Sequence, residues 1–218
     1  MRFRELVLVV LGAALTMIAA PSGAAAVQDA PAPLRHGEVR LLMRTDAGDV
    51  HLAVDTVRAP ITAGNFLRYV DLGLYTGGTF YRTVRLDNQP DDDVKIEVVQ
   101  GGMDRSRGEQ ALPPIPLEGT TSTGIRHVDG TLSMARGAPN SARAAFFITI
   151  GAQPSLDEGG RRNPDGLGFA AFGRVLVGME VVRTIQAEPA EGQYLVNRVG
   201  IRFVERVADG AIAGTAPR

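Results

Sequence analysis

Arg82 and Gln100 sit in two apolar runs that read as strands, Thr79 to Val84 and Lys95 to Gln100. Paired antiparallel, those runs would put the two side chains next to each other. A guanidinium stays charged and carries a rigid fork of donors. A glutamine oxygen can therefore hold one N–H while others face a reacting group. Alone the pair says little, because the chain has twenty-two arginines beside a single lysine, Lys95, and an isolated arginine is ordinarily a solvated surface group.

The other reactive side chains are less organised. His36, His51 and His127 are scattered and have no partners at ligand spacing, so no metal is expected. Asp91-Asp92-Asp93 lacks the glycine and closing glutamate of a calcium loop and reads as a solvated turn. Gly166-Leu167-Gly168 has no strand-to-helix unit around it, and Lys95 follows no glycine-rich run, which removes dinucleotide and phosphate loops. The absence of cysteine excludes disulfides and thiolate chemistry. A formal charge of −1 without a basic stripe argues against nucleic acid and anionic membrane surfaces, leaving other proteins as partners.

The elements that must position these groups are mostly strands. Val39, Leu41 and Met43 alternate with polar residues, Asp46-Ala47-Gly48 turns the chain, and Val50, Leu52 and Val54 alternate again, which predicts a hairpin with His51 on its polar face. Pro60 opens a helix with Ala63, Phe66, Leu67 and Val70 on one stripe, and Gly73 stands where it should stop. Further strands are predicted at Gly130 to Ala135, Phe146 to Ile150, Phe169 to Val175 and Val196 to Val204. A second helix carries Val181, Val182 and Ile185. Many short strands with two helices imply an all-β domain, a closed antiparallel barrel or a sandwich.

At the N-terminus, Arg2 and Arg4 precede an apolar run from Leu6 to Ala20 and the small residues Ala24-Ala25-Ala26. The run is shorter than the about 20 residues a membrane span needs, so it reads as a secretory signal cleaved near Ala26. The expected organisation is a signal over 1–26, a flexible leader over 27–37, one domain over 38–207 and a loose tail over 208–218. The exported form would work in the periplasm or a similar compartment, as a monomer with no membrane attachment.

Gly130-Thr131-Leu132-Ser133-Met134-Ala135-Arg136-Gly137-Ala138-Pro139-Asn140, running on to Phe146-Phe147-Ile148-Thr149, closely resembles the core signature of the cyclophilin family of peptidyl-prolyl isomerases. Ala59-Pro60-Ile61-Thr62-Ala63-Gly64-Asn65-Phe66, Phe80-Tyr81-Arg82, Gln100-Gly101-Gly102 and Phe172-Gly173 resemble further family motifs in the family's order. The resemblance covers roughly Val39 to Val204. It implies an eight-stranded antiparallel barrel capped by two helices, an enzyme that accelerates rotation about X-Pro bonds, and proline-containing polypeptides as substrates. It gives Arg82 the role of donor to the prolyl nitrogen and Gln100 that of its support. Phe147 would floor the proline pocket, Val98, Leu156 and Phe169 would wall it, and Ala135 with the Arg136 backbone would hold the extended substrate. Since no bond is made or broken, no cofactor is required.

Four positions depart from the family pattern. Arg85 to Asp93 is an insertion expected beside the groove. Ile96 and Glu97 stand nearest the place of the family's usual aromatic. Ser155 replaces a tryptophan of many eukaryotic members and Phe169 a histidine, which implies weak cyclosporin binding. Ala144-Ala145 replaces a polar pair ending in glutamine. The altered rim residues Ser155, Phe169 and Ala145 motivate a rival reading, a module that binds proline segments without turnover, and a third reading is a holdase, which should show a large exposed apolar patch.

Overall fold

The structure is a computed structural model and describes residues 32–208. The signal over 1–26, the first residues of the leader and nearly all of the tail lie outside the described residues.

β1 (Glu38–Thr45) and β2 (Gly48–Asp55) form the expected hairpin, in register from Glu38 opposite Asp55 to Thr45 opposite Gly48. The remaining long strands are β3 (Gly78–Val84), β4 (Val98–Gly102), β5 (Thr131–Met134), β6 (Phe146–Thr149), β7 (Ala170–Val177) and β9 (Tyr194–Arg206), with a two-residue β8 (Ala190–Glu191) leading into β9. Neighbours run β1-β2-β7-β5-β6-β4-β3-β9, and β9 pairs back onto β1. This is a closed eight-stranded antiparallel barrel, which leaves no free sheet edge among its main strands.

Strand alternation divides the side chains into two sets. Leu41, Met43, Val50, Leu52, Phe80, Val99, Leu132, Met134, Phe146 and Ile148 fill the interior. A second, smaller cluster of Val84, Ile96, Val98, Phe147 and Leu156 lies on the other face of the same strands.

Two helices reach the interior, and a closed barrel admits them only at its open ends. α1 (Pro60–Asp71) inserts Ala63, Phe66 and Val70 into the core, with the Phe66 ring against Tyr75, Phe146 and Phe172. Its first turn has no side-chain cap of its own. The Glu118 carboxylate accepts from the N–H groups of Ile61 (3.1 Å) and Thr62 (2.6 Å), satisfying orphan donors and complementing the positive helix end. The later helix, Met179–Ala187, buries Val182 and Ile185 in the same core. Between them lies a single helical turn, Thr120–Thr123, too short to leave a periodic pattern in the sequence.

The strand expected to run from Lys95 begins only at Val98 and continues through Gly102. Residue 96 has left the ladder because the buried side chain of Gln89 takes its backbone groups: Gln89 Nε2 donates to the Ile96 carbonyl (2.8 Å) and Oε1 accepts from its N–H (3.2 Å). At the other end, Gly101 continues the strand because no side chain fits there. A Cβ would stand 3.0 Å from both the Phe80 ring and the Thr79 carbonyl. Among the described residues no helix is long and apolar enough to cross a membrane.

Candidate active site

Strand register assembles one row across the outer face of the sheet. Arg82 on β3 lies opposite Gln100 on β4, Gln100 opposite Phe147 on β6, and Phe147 opposite Ser133 on β5. On β4, β5 and β6 the row follows from alternation, with Val99, Leu132 and Phe146 facing in. On β3 the ladder is irregular between Phe80 and Arg82, which lets Phe80 face the core while Arg82, two residues on, faces the pocket.

A pocket of about 330 Å³ opens over this row. All eight residues singled out from the sequence line it: Arg82, Gln100, Val98, Ala135, Arg136, Phe147, Leu156 and Phe169. Phe147, Val98 and Leu156 are buried and form the apolar floor, with Phe169 standing edge-on to Phe147 at 5.2 Å between centroids. Ile96 also faces the pocket, whereas Glu97 points away and accepts a bond from Gln186. Ile96 therefore occupies the pocket side of the place left open between the two. The insertion Arg85 to Asp93 contributes Asp92, whose carboxylate pairs with Arg162 of the facing loop at 3.0 Å.

Two arginines with opposite commitments line this pocket. Arg136 donates Nε to the Gly168 carbonyl and Nη1 to the Gly137 carbonyl, and forks onto Asp165 at 2.7 and 2.9 Å. Its Cζ sits 5.3 Å from the Phe169 ring centroid. That side chain is spent on holding the Phe169 wall, and it depresses the Asp165 carboxyl through their hydrogen bonds. The sequence reading had assigned Arg136 only a backbone role. Arg82 donates Nη1 to Gln100 Oε1 (2.8 Å), and Nε and Nη2 to Gln193 Oε1. One N–H on each terminal nitrogen remains uncommitted. Burial is the main influence on its guanidinium and lowers its pKa, yet an arginine stays protonated at any physiological pH.

Ala135 lines the pocket, but its N–H already donates to the Ala145 carbonyl at 2.9 Å. The expectation that a bound chain would be held by main-chain bonds at both 135 and 136 is thus narrowed: the Ala135 carbonyl is what position 135 can offer.

Behind the floor the structure gives partners to a histidine that reads as isolated in the sequence. His127 is buried and stacks on Phe147 with centroids 5.9 Å apart and planes 15° apart. Its Nδ1 lies 2.8 Å from Asp157 Oδ1 and its Nε2 lies 2.9 Å from Ser133 Oγ. Burial lowers its pKa, against the opposing pull of Asp157, so the ring is neutral near pH 7. A carboxylate can only accept, so Nδ1 carries the proton and Nε2 accepts from the serine hydroxyl. A serine, a histidine and an aspartate in this order suggest a hydrolase by residue type, but Ser133 is completely buried behind Phe147 and no substrate can reach it. The row braces the pocket floor. Tyr81, next to Arg82 on β3, accepts from Gln100 Nε2 at 2.8 Å, a role that its place in the motif does not disclose. Gln193 leaves no sequence signal, since it reaches Arg82 through the pairing of β3 with β9. Among the described residues no cluster of His, Cys, Asp and Glu could hold a metal ion.

The closed eight-stranded barrel with two helices at its ends defines the fold class, and comparison with known proteins names the family. The family described as cyclophilin type peptidyl-prolyl cis-trans isomerase/CLD matches residues 40–206. Peptidyl-prolyl cis-trans isomerase A of Dickeya dadantii is 35% identical over 152 residues, covering 69% of this chain and 73% of that protein. Peptidyl-prolyl cis-trans isomerase cyp18 of Streptomyces antibioticus is 34% identical over 145 residues, covering 66% and 81%. A crystal structure of a cyclophilin type isomerase from Cryptosporidium parvum superposes with a TM-score of 0.64 at 19% identity, over 79% of this chain and 99% of that one, a likeness of fold. A second structure of that protein, in the presence of the dipeptide Ala-Pro, gives 0.63 at 20% identity, over 78% and 99%. The chain belongs to the cyclophilin-type peptidyl-prolyl cis-trans isomerase family.

Proposed function

We propose that the protein accelerates cis/trans exchange of X-Pro bonds in exported polypeptides, with Arg82 as the catalytic donor. The observation that carries this reading is a half-buried arginine, fixed by Gln100, with an uncommitted N–H on each terminal nitrogen at the edge of an apolar pocket floored by Phe147. The pocket suits a proline ring, and the Ala-Pro dipeptide accompanying the Cryptosporidium parvum relative supports a proline-containing ligand.

The barrier to rotation, about 18–20 kcal/mol, comes from amide resonance. As the bond twists, the prolyl nitrogen pyramidalises and its lone pair localises, making it an acceptor that the planar amide is not. An Arg82 N–H donating to that nitrogen interacts with the twisted state alone, and only such differential binding raises the turnover rate. A hydrogen bond from a charged donor contributes about 1.5–3 kcal/mol, or about ten- to a hundred-fold in rate. Val98, Phe147, Leu156 and Phe169 hold the ring, and the Ala135 carbonyl receives the chain beside it. The proton stays on Arg82 throughout.

The export reading rests on Arg2, Arg4, the apolar run Leu6 to Ala20 and the Ala24-Ala25-Ala26 site. Sequencing the N-terminus of the protein recovered from cells should find Val27 first, and an intact Met1 would overturn it. The enzyme reading is tested with a short Ala-Pro-Phe peptide. Acceleration of cis-to-trans conversion by the wild type, with at least about tenfold less by Arg82→Ala, is the expected result. No acceleration by the wild type, or equal acceleration by both, would sink it.

A further inference from the structure

Arg82 is gripped from two sides, and only one grip was foreseen. Gln100 takes Nη1, while Gln193 Oε1, in the turn before β9, takes Nε at 3.1 Å and Nη2 at 2.5 Å. We propose that Gln193 is a positioning residue for Arg82, and that the insertion Arg85 to Asp93 serves to aim it. The proposal rests on the reading of Arg82 as the catalytic donor.

The geometry explains the need for two grips. Bonded through Nη1 alone, a guanidinium can still swing about that contact. Holding the opposite edge at Nε and Nη2 fixes the plane and leaves one free N–H on each terminal nitrogen. The Gln193 amide is itself oriented, because its Nε2 donates to the Asn88 carbonyl at 3.4 Å and thereby turns the oxygen toward Arg82. Gln100 is set in the same way by Tyr81, whose hydroxyl accepts from Gln100 Nε2.

Asn88 belongs to the insertion and ties it to β3 and to the turn before β9. Its Nδ2 donates to the Thr83 carbonyl (3.1 Å) and to the Gly192 carbonyl (3.0 Å), and its Oδ1 accepts from the Arg85 N–H (2.8 Å). Thr83 N–H in turn donates to the Gln193 carbonyl at 2.9 Å. Gln89, buried beneath, joins the Arg85 carbonyl (2.7 Å) to both backbone groups of Ile96. The insertion is thus a folded bracket between Arg82 and the turn that carries Gln193.

The test is a double-mutant cycle on the full chain, read as kcat and KM for an Ala-Pro-Phe peptide. Gln193→Leu, which keeps the length and loses the acceptor, should lower kcat about tenfold with KM within about twofold. Gln193→Glu, which keeps an acceptor oxygen, should recover most of that loss. In an Arg82→Lys background, where there is no fork to orient, Gln193→Leu should cost less than about twofold. If Gln193→Leu does not fold, Gln193→Asn, whose oxygen is withdrawn by one methylene, carries the same comparison. An equal fractional loss in both backgrounds, a loss confined to KM, or no loss would overturn the proposal while leaving Arg82 as the donor. Full activity of Arg82→Lys and Arg82→Ala would overturn both.

Discussion

Phe146 turns into the barrel, where its ring meets Phe66, Tyr75 and Phe80 edge-on, whereas Phe147, one residue further, turns outward onto His127 and Phe169. Both rings are buried, and both sit on the same four-residue strand. Phe146 is surrounded by packed side chains. Phe147 is packed on one side by a stacked imidazole and open to a pocket on the other. One strand thus supplies fold stability with one face and a binding surface with the other, and the two can be separated by substitution.

The largest effect expected of that separation is on Phe146. Phe146→Ala removes the centre of an aromatic cluster and should cost about 3–5 kcal/mol, enough to unfold much of the population in a urea titration. Phe147→Ala enlarges an existing pocket instead of leaving a closed cavity, and should cost less, about 1.5–3 kcal/mol, while weakening binding of an Ala-Pro-Phe peptide at least about tenfold. Equal stability losses would remove the distinction between the two faces.

The imidazole behind Phe147 sharpens the comparison through pH. His127 is neutral in the fold because burial lowers its pKa, and in the unfolded chain it takes up a proton near pH 6.5. The unfolded state then binds more protons, so this contribution to stability is complete above about pH 6.5 and declines as the pH falls through that value. His51, also lowered chiefly by burial, acts in the same direction. His127→Gln should flatten the fall in stability between pH 7 and pH 5, by no more than about 1.4 kcal/mol per pH unit. An unchanged slope in urea unfolding would mean that the ring titrates freely.

The smallest effect is expected at the pocket rim. Asp92 and Arg162 join the insertion to the facing loop, and the pair is partly exposed. Asp92→Ala should change stability by less than about 1 kcal/mol and alter peptide KM only a few-fold. A large loss of kcat would assign the rim a direct part in turnover.

What the sequence disclosed follows the same division. The strands could be read because they depend on period-two alternation within short segments, whereas the closed barrel, the pairing role of Arg82 with Gln100 and the apolar pocket came from the resemblance carried by the motifs in their order. Gln193 and Asp157 could not be read, since the turn before β9 and the loop after β6 reach the site only through the tertiary fold, which leaves no local pattern. His127 was legible as a histidine and illegible as a brace, because its partners Ser133 and Asp157 lie on two other segments. The start of β4 was misjudged for a similar reason: Gln89, seven residues earlier, captures the backbone of Ile96. The Arg136 side chain escaped notice because its anchor Asp165 lies in a loop without periodicity.

The central claim is that one side chain turns the bond while the pocket holds the ring, and exchange spectroscopy on an Ala-Pro-Phe peptide at equilibrium separates the two. With Arg82→Ala, the peptide should still bind with an affinity within about threefold of wild type, while catalysed exchange between its cis and trans signals falls at least about tenfold. Exchange by Arg82→Ala at the wild-type rate, with binding intact, would contradict the account.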